Sequence, residues 1–218
     1  AASDVYKRQV FQMKRIAVMV SGGGTNLQAI IDNVSSGKIK AELALVISSK
    51  HGAYALERAK KAGIPTAVIA KKDYDSEEDF FAANLKALED CGAEGIVLAG
   101  YMSILSKELV KKFENKIINI HPALIPSFCG KGYYGERVHK AVIAYGAKLS
   151  GATVHFVDEG ADTGPIIMQE SVPVLPDDTP DELAARVLKV EHTILPRSVA
   201  LFCEDKLKVE GRIVRVLV

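Results

Sequence analysis

The sequence predicts an α/β protein with one largely parallel sheet and helices on both faces. Two observations carry this reading. Short apolar runs alternate with helical patterns over most of the 218 residues, and glycine, proline or polar turns punctuate them, which is the signature of repeated βαβ units. Arg15–Ser21 (RIAVMVS) reads as a buried strand. Asn26–Val34 reads as a helix because Leu27, Ile30, Ile31 and Val34 recur at helical spacing. Leu43–Ile47 is the second strand, and a helix over Ala53–Ala62 follows, stopped by Gly63 and Pro65. A short strand at Thr66–Ala70, a helix at Glu77–Cys91, a strand at Gly95–Ala99, a helix at Lys107–Phe113 and a strand at Lys116–Ile120 continue the series. The second half is less regular. Arg137–Tyr145 reads as a helix, Gly151–Val157 and Ile166–Val174 as strands around a loop, and Asp181–Leu195 as a helix. Leu207–Val209 and Arg212–Val214, split by Glu210-Gly211, predict a small C-terminal hairpin.

Length and composition fit one globular domain with a real core: 48% of residues are hydrophobic and the formal net charge is +1. So small a charge gives no general pull toward nucleic acid or anionic membrane, and any anion site must be local. No apolar run approaches the ~18 residues of a membrane span. Cys91, Cys129 and Cys203 lie far apart and make neither a CxxC pair nor a zinc spacing. They read as reduced structural thiols of a cytoplasmic protein. The chain begins without methionine, and residues 1–12 show no sustained period; they are expected to be a leader or artefact. Residues 13–218 are expected to form a single catalytic domain.

Ser21-Gly22-Gly23-Gly24-Thr25-Asn26 joins the first strand to the first helix. Glycines let the backbone turn sharply and present N–H groups closely, and a helix N-terminus adds unpaired donors and partial positive charge. The loop is therefore a phosphate-cradle candidate, or simply a tight βα turn. It is not a dinucleotide fingerprint, because Leu27 stands where the last glycine belongs and Ser48, Ser49 and Lys50 replace the ribose-binding acid. It is not a Walker A loop. A phosphate of mononucleotide size is the ligand it suits.

Asn119-Ile120-His121-Pro122 closes the Lys116–Ile120 strand. Alternation points Asn119 and His121 to one side, and Ile118 and Ile120 to the other. Both polar side chains then stand at the carboxyl end of a parallel strand, where open α/β sheets bind ligands. An amide and an imidazole side by side suit a developing oxyanion. The alternative is a surface histidine beside a turn-forming asparagine. After the Gly151–Val157 strand comes Asp158-Glu159-Gly160-Ala161-Asp162-Thr163-Gly164-Pro165. Its three acids make either a solvated turn or the source of a carboxylate for His121, which would raise the histidine pKa and suit it to acid catalysis near neutral pH. Spacing alone does not choose among Asp158, Glu159 and Asp162.

In order along the chain, SGGGTNLQAII (21–31), LAGYMSIL (98–105), INIHPALIPSF (118–128), GATVHFVDEGADTGPII (151–167) and ARVLKVEHTILP (185–196) resemble the glycinamide ribonucleotide formyltransferase family. The resemblance runs from about Arg15 to about Leu201. The joint pattern N-x-H-P with D-x-G-P is specific for folate-dependent formyl transfer, and SGGGTNLQ narrows it. The resemblance implies a Rossmann-like formyltransferase fold: an open, mostly parallel, seven-stranded twisted sheet, with a cis peptide at Ile125-Pro126. It implies that His121 is the general acid and oxyanion partner, that Asn119 helps hold the formyl oxygen, and that Asp162 elevates the His121 pKa and organises proton transfer. It assigns phosphate binding to Gly24, Thr25 and Asn26, and the ribose to Glu191. It assigns the pterin cleft to Met102, Ser103, Ile104, Leu105, Asn119, Val157 and the 158–163 loop.

Three positions depart from the family pattern. Ser103 stands where an arginine is common, so folate contact there falls to the backbone and to Ile104 or Leu105. Glu77 stands where many members carry a basic residue, with Lys71 or Lys72 as possible substitutes. The Ser127–Glu136 segment is longer than in the commonest bacterial form. His155 belongs to the motif, with an orienting role its candidate one; His192 is placed to support Glu191; His51 and His139 are assigned no role. Phe128, Tyr133 and Tyr134 read as packing or a mobile lip.

The resemblance implies transfer of a formyl group from 10-formyltetrahydrofolate to the amine of glycinamide ribonucleotide, by direct attack and with no metal. No nucleic-acid or membrane partner is expected, and the protein is expected to be a monomer or homodimer. The rivals are a 10-formyltetrahydrofolate hydrolase, formylation of methionyl-tRNA, and a non-catalytic phosphate-ligand binding module. Family hydrolases carry a further domain before the sheet and the tRNA enzymes one after it, and a net charge of +1 suits no large RNA footprint.

Overall fold

Side-chain alternation along the central strands sorts the core into two layers. The computed structural model describes residues 13–217; the leader assigned to residues 1–12 lies outside the described residues. β1 (Lys14–Val20), β2 (Ala41–Ser48), β3 (Thr66–Val68), β4 (Gly95–Leu98) and β5 (Ile117–His121) run parallel in the order β3-β2-β1-β4-β5. Along β1, Ile16, Val18 and Val20 enter one layer, and Ala17 and Met19 the other. Such strands are buried on both faces and so read as continuous apolar runs. The first layer is covered by α1 (Thr25–Ser35), α2 (Tyr54–Lys61), α5 (Glu136–Tyr145) and α6 (Pro180–Cys203), and the second by α3 (Glu77–Asp90) and α4 (Lys107–Lys112).

β6 (Leu149–Phe156) and β7 (Ile166–Pro173) extend the sheet, β6 running antiparallel to both β5 and β7. β8 (Leu207–Glu210) and β9 (Ile213–Val216) form the expected hairpin, which attaches to β7 through the parallel pair Ile166 and Ile213. Among the described residues the sheet therefore has nine strands, in the order β3-β2-β1-β4-β5-β6-β7-β9-β8, and not seven. The seven expected strands are β1–β7, and the hairpin continues the sheet where it was expected to stand apart from it.

α6 also corrects the sequence reading. It was expected to stop at Leu195, before Pro196, yet it continues to Cys203. Proline removes one helical hydrogen bond and crowds the preceding turn. Here Leu195, Pro196, Val199 and Phe202 are all buried, and tertiary packing outweighs the local cost. The start of α6 follows the sequence rules: Thr179 and Glu182 form a reciprocal capping box.

The β5–β6 pairing positions the site. Asn119 lies opposite His155 and His121 opposite Thr153. Thr153 Oγ1 donates to the Ala123 carbonyl at 2.7 Å and accepts from the Ile125 N–H at 3.1 Å and Gln169 Nε2 at 2.9 Å. These bonds tie the turn containing the cis Ile125-Pro126 bond to β6. Close backbone approach makes glycine necessary at 151. A Cβ there would lie 2.1 Å from the Glu170 carbonyl oxygen and 2.8 Å from Leu124 Cδ2. Gly151→Ala is expected to destabilise the fold by about 1–3 kcal/mol through overpacking, read as a lower urea midpoint; an unchanged midpoint would contradict this account of the β6–β7 contact.

Candidate active site

β5 brings Asn119 and His121 to its carboxyl end, as alternation predicts, and His121 is buried while Asn119 is half-buried. The His121 ring is held through Nε2 and faces a carboxylate at Nδ1. Nε2 donates to the Phe128 carbonyl at 2.8 Å, and Nδ1 faces Asp162 Oδ2 at 3.6 Å. The other carboxylate oxygen, Oδ1, stands 3.6 Å from His155 Nε2. Asp162 Oδ2 also accepts from the Gly130 N–H at 2.9 Å. Of the three loop acids, the fold therefore delivers Asp162 to His121. Asp158 is instead spent locally, accepting from the Gly160 N–H and Thr163 Oγ1.

His155 clarifies the amide. Its Nδ1 donates to the Phe156 carbonyl at 2.7 Å, so Nε2 carries the lone pair and accepts from Asn119 Nδ2 at 3.1 Å. One N–H of Asn119 is thereby fixed, and the second remains to meet a ligand. The orienting part considered for His155 thus has a geometric basis.

The electrostatics differ from the expectation for His121. Burial lowers its pKa below the ordinary 6.5, outweighing the opposing pull of Asp162 and of the Phe128 carbonyl. Asp162 does push the pKa upward, but the net shift is downward, because removing an imidazolium from water costs more than this carboxylate returns. Burial alone would raise the Asp162 carboxyl, but contact with His155, the Gly130 N–H and the nearby imidazoles bring it below its ordinary value. The free protein near neutral pH accordingly holds a neutral His121 beside an ionised Asp162.

The glycine loop leads into α1, whose Asn26 reaches the same region. Gly24 caps α1 with φ 72° and no side-chain cap bond, leaving the first N–H groups of the helix without intrahelical partners. A Cβ on Gly24 would lie 2.6 Å from Ala55 Cβ, so α2 packs against the loop only because residue 24 is glycine. Arg58 of α2 donates through Nε to the Gly23 carbonyl at 2.8 Å, which brings a guanidinium to the loop. Asn26 Nδ2 donates to Glu191 Oε2 at 2.6 Å, while Asn26 Oδ1 is buried without a partner among the described residues. Burial raises the Glu191 pKa, and the Asn26 bond opposes that shift.

One cavity of about 470 Å³ joins the Asn26–Glu191 pair to the groups around His121, whereas Gly24 and Thr25 are not among its walls and Thr25 and Arg58 line a separate depression. The cavity's walls include Asn26, Met102, Asn119, His121, Asp162 and Glu191, and its size is that of an ordinary small-molecule site. Ser103, Ile104, Leu105 and Val157 do not line it. Ile104 is 77% exposed, Leu105 and Val157 pack against the second core layer, and Val157 borders a separate depression. Ser21 links the two halves of the site: its Oγ accepts from the Met102 N–H at 2.7 Å and lies 2.5 Å from Ser49 Oγ. Sequence reasoning missed Arg58, Ser21 and Tyr101, the last a wall of the cavity. Arg58 sits one helix away from the loop, and only the predicted packing of α2 on that loop would have pointed to it. His51 pairs with Asp73 on the surface, and Lys71 pairs with Glu77. Cys91, Cys129 and Cys203 are free thiols. No group of three or more His, Cys, Asp or Glu side chains suited to a metal occurs among the described residues, and no described helix is long and apolar enough to cross a membrane.

An open parallel sheet with convergent polar groups in a cleft at its carboxyl edge defines a class, the α/β enzymes with a strand-end active site. A family model described as formyl transferase matches residues 14–199, and the chain belongs to that family. A phosphoribosylglycinamide formyltransferase from Haemophilus influenzae is 42% identical over 201 residues, covering 92% of each chain. The crystal structure of glycinamide ribonucleotide transformylase 1 from Symbiobacterium toebii matches with a TM-score of 0.91 at 42% identity, over 100% of both chains. The trifunctional purine biosynthetic protein adenosine-3 of Drosophila melanogaster is 46% identical over 190 residues, which is 86% of this chain but 14% of that protein's length.

Because Asp162 pulls the His121 pKa upward against burial, Asp162→Asn is expected to lower it further. Imidazole titration followed by NMR checks this, and a rise or no change would contradict the geometry.

Proposed function

We propose that this chain transfers the formyl group of 10-formyltetrahydrofolate to the amine of glycinamide ribonucleotide. The observation that carries the reading is the Asp162 carboxylate facing His121 and His155 from its two oxygens, in the cavity that also holds Asn26 and Glu191. The substrate phosphate sits on the open N–H groups at the start of α1, with Gly24, Thr25 and Asn26 around it and the Arg58 charge alongside. Glu191, held by Asn26, takes the ribose. Met102 and Asn119 border the folate side, and Ser103, Ile104, Leu105 and Val157 form its outer margin.

A neutral amine attacks the formyl carbon and gives a tetrahedral intermediate. Its oxyanion accepts from the second Asn119 N–H. The attacking nitrogen, now cationic, gives up a proton through water beside Asp162 to His121 Nδ1, because the new negative charge adds to that of Asp162 in favouring imidazolium. The His121 Nδ1–H then donates to the oxyanion. As the carbonyl reforms and the bond to the folate nitrogen breaks, the imidazolium returns that proton through water to the departing nitrogen, leaving His121 neutral and Asp162 ionised. Holding both substrates in one cleft removes much of the entropic barrier, up to ~7–11 kcal/mol in ideal cases.

Incubation with 10-formyltetrahydrofolate, with and without glycinamide ribonucleotide, tests the reading. Deformylation that depends on the amine is expected. Equal turnover without it makes the protein a hydrolase, and no turnover in either case makes it a binding module. His121→Ala and Asp162→Ala are each expected to reduce turnover by at least ~10², and wild-type rates in either would remove that residue from the mechanism.

A further inference from the structure

We propose that His139 is a substrate-binding residue whose Nε2–H donates a hydrogen bond to the amide carbonyl oxygen of the nucleotide substrate, between its ribose and the reacting amine. The proposal rests on the substrate assignment above and adds a contact to it.

His139 lies on α5, whose Val138 and Val142 anchor that helix in the first core layer. The residue is 5% exposed, yet it lines the same cavity as His121, Asn119, Asn26 and Glu191. Its Nδ1 is buried with no hydrogen-bond partner among the described residues. A buried N–H without an acceptor is rarer and costlier than an acceptor left under-used. The tautomer with the proton on Nε2 is therefore the one this pocket selects. Burial, with His121 nearby, also lowers its pKa and keeps the ring neutral, so Nδ1 stays an unprotonated lone pair. Because His139 lines the cavity and Nδ1 is buried, the Nε2–H is the group the ring has left to offer a ligand there, and what meets it must be an acceptor.

Position selects which acceptor. Asn26 and Glu191 mark the phosphate and ribose end of the cavity, while Asn119 and His121 mark the reacting end. His139 is close enough to His121 for the charge on one ring to depress protonation of the other. The substrate atom lying between the ribose and the amine is the amide carbonyl oxygen. A histidine serving only as core filler would have no reason to line the ligand cavity while leaving its inner nitrogen unpaired.

Calorimetric binding without formyl donor separates this contact from catalysis. The ligands are glycinamide ribonucleotide and an analogue with a methylene in place of the amide carbonyl. Wild type is expected to prefer the carbonyl ligand by about tenfold, the scale of one hydrogen bond. His139→Leu and His139→Asn are each expected to bind the two ligands equally, the second keeping a polar side chain too short to reach. Full wild-type discrimination in either folded variant overturns the proposal, as does wild type binding both ligands equally. If wild type binds neither nucleotide, the failure belongs to the substrate assignment itself.

Discussion

The site depends on how His121 is held. Its two ring nitrogens meet two residues whose backbones lie in the left-handed region: Phe128 (φ 50°) presents its carbonyl to Nε2, and Asp162 (φ 57°) presents its carboxylate to Nδ1. Neither is glycine, so each conformation costs on the order of 1 kcal/mol or more and persists only because its surroundings enforce it. The Gly130 N–H bond to Asp162 couples the two loops directly. A fold without function would have no reason to place two such residues against one buried imidazole.

The electrostatic consequence is a poised pair. Burial outweighs the carboxylate in the free protein, so the histidine is neutral and the acid ionised. Any further negative charge in the cavity acts in the same direction as Asp162 and against burial. The buried Asn26–Glu191 pair shows the same logic at the other end. Its polar atoms are only partly satisfied within the protein, which suits them to hydroxyl groups brought by a ligand.

Much of this was legible in the sequence. The parallel half of the sheet followed from apolar runs alternating with helical spacing, and β1–β5 appeared within a residue or two of their expected bounds. Asn119 and His121 were placed on one face by period alone. Other features were not legible. Pro196 argued for a helix end, and only the packing of α6 on the sheet kept the helix intact. The hairpin was visible, but its single register pair to β7, Ile166 with Ile213, is a tertiary contact with no local signal. Period does not choose among Asp158, Glu159 and Asp162, because the choice depends on a loop crossing back over β5; the family resemblance selected Asp162. The direction of the His121 shift was misjudged because a nearby acid is readable from a motif, whereas the depth of burial is not.

A crystal structure with glycinamide ribonucleotide and an unreactive analogue of 10-formyltetrahydrofolate tests the central claim most directly. The account predicts the phosphate on the backbone amides at the start of α1, and the carbonyl oxygen of the folate analogue within hydrogen-bond reach of both Asn119 Nδ2 and His121 Nδ1. A ternary complex with that oxygen turned away from both, or with the nucleotide outside the cavity walled by Asn26 and Glu191, would contradict it.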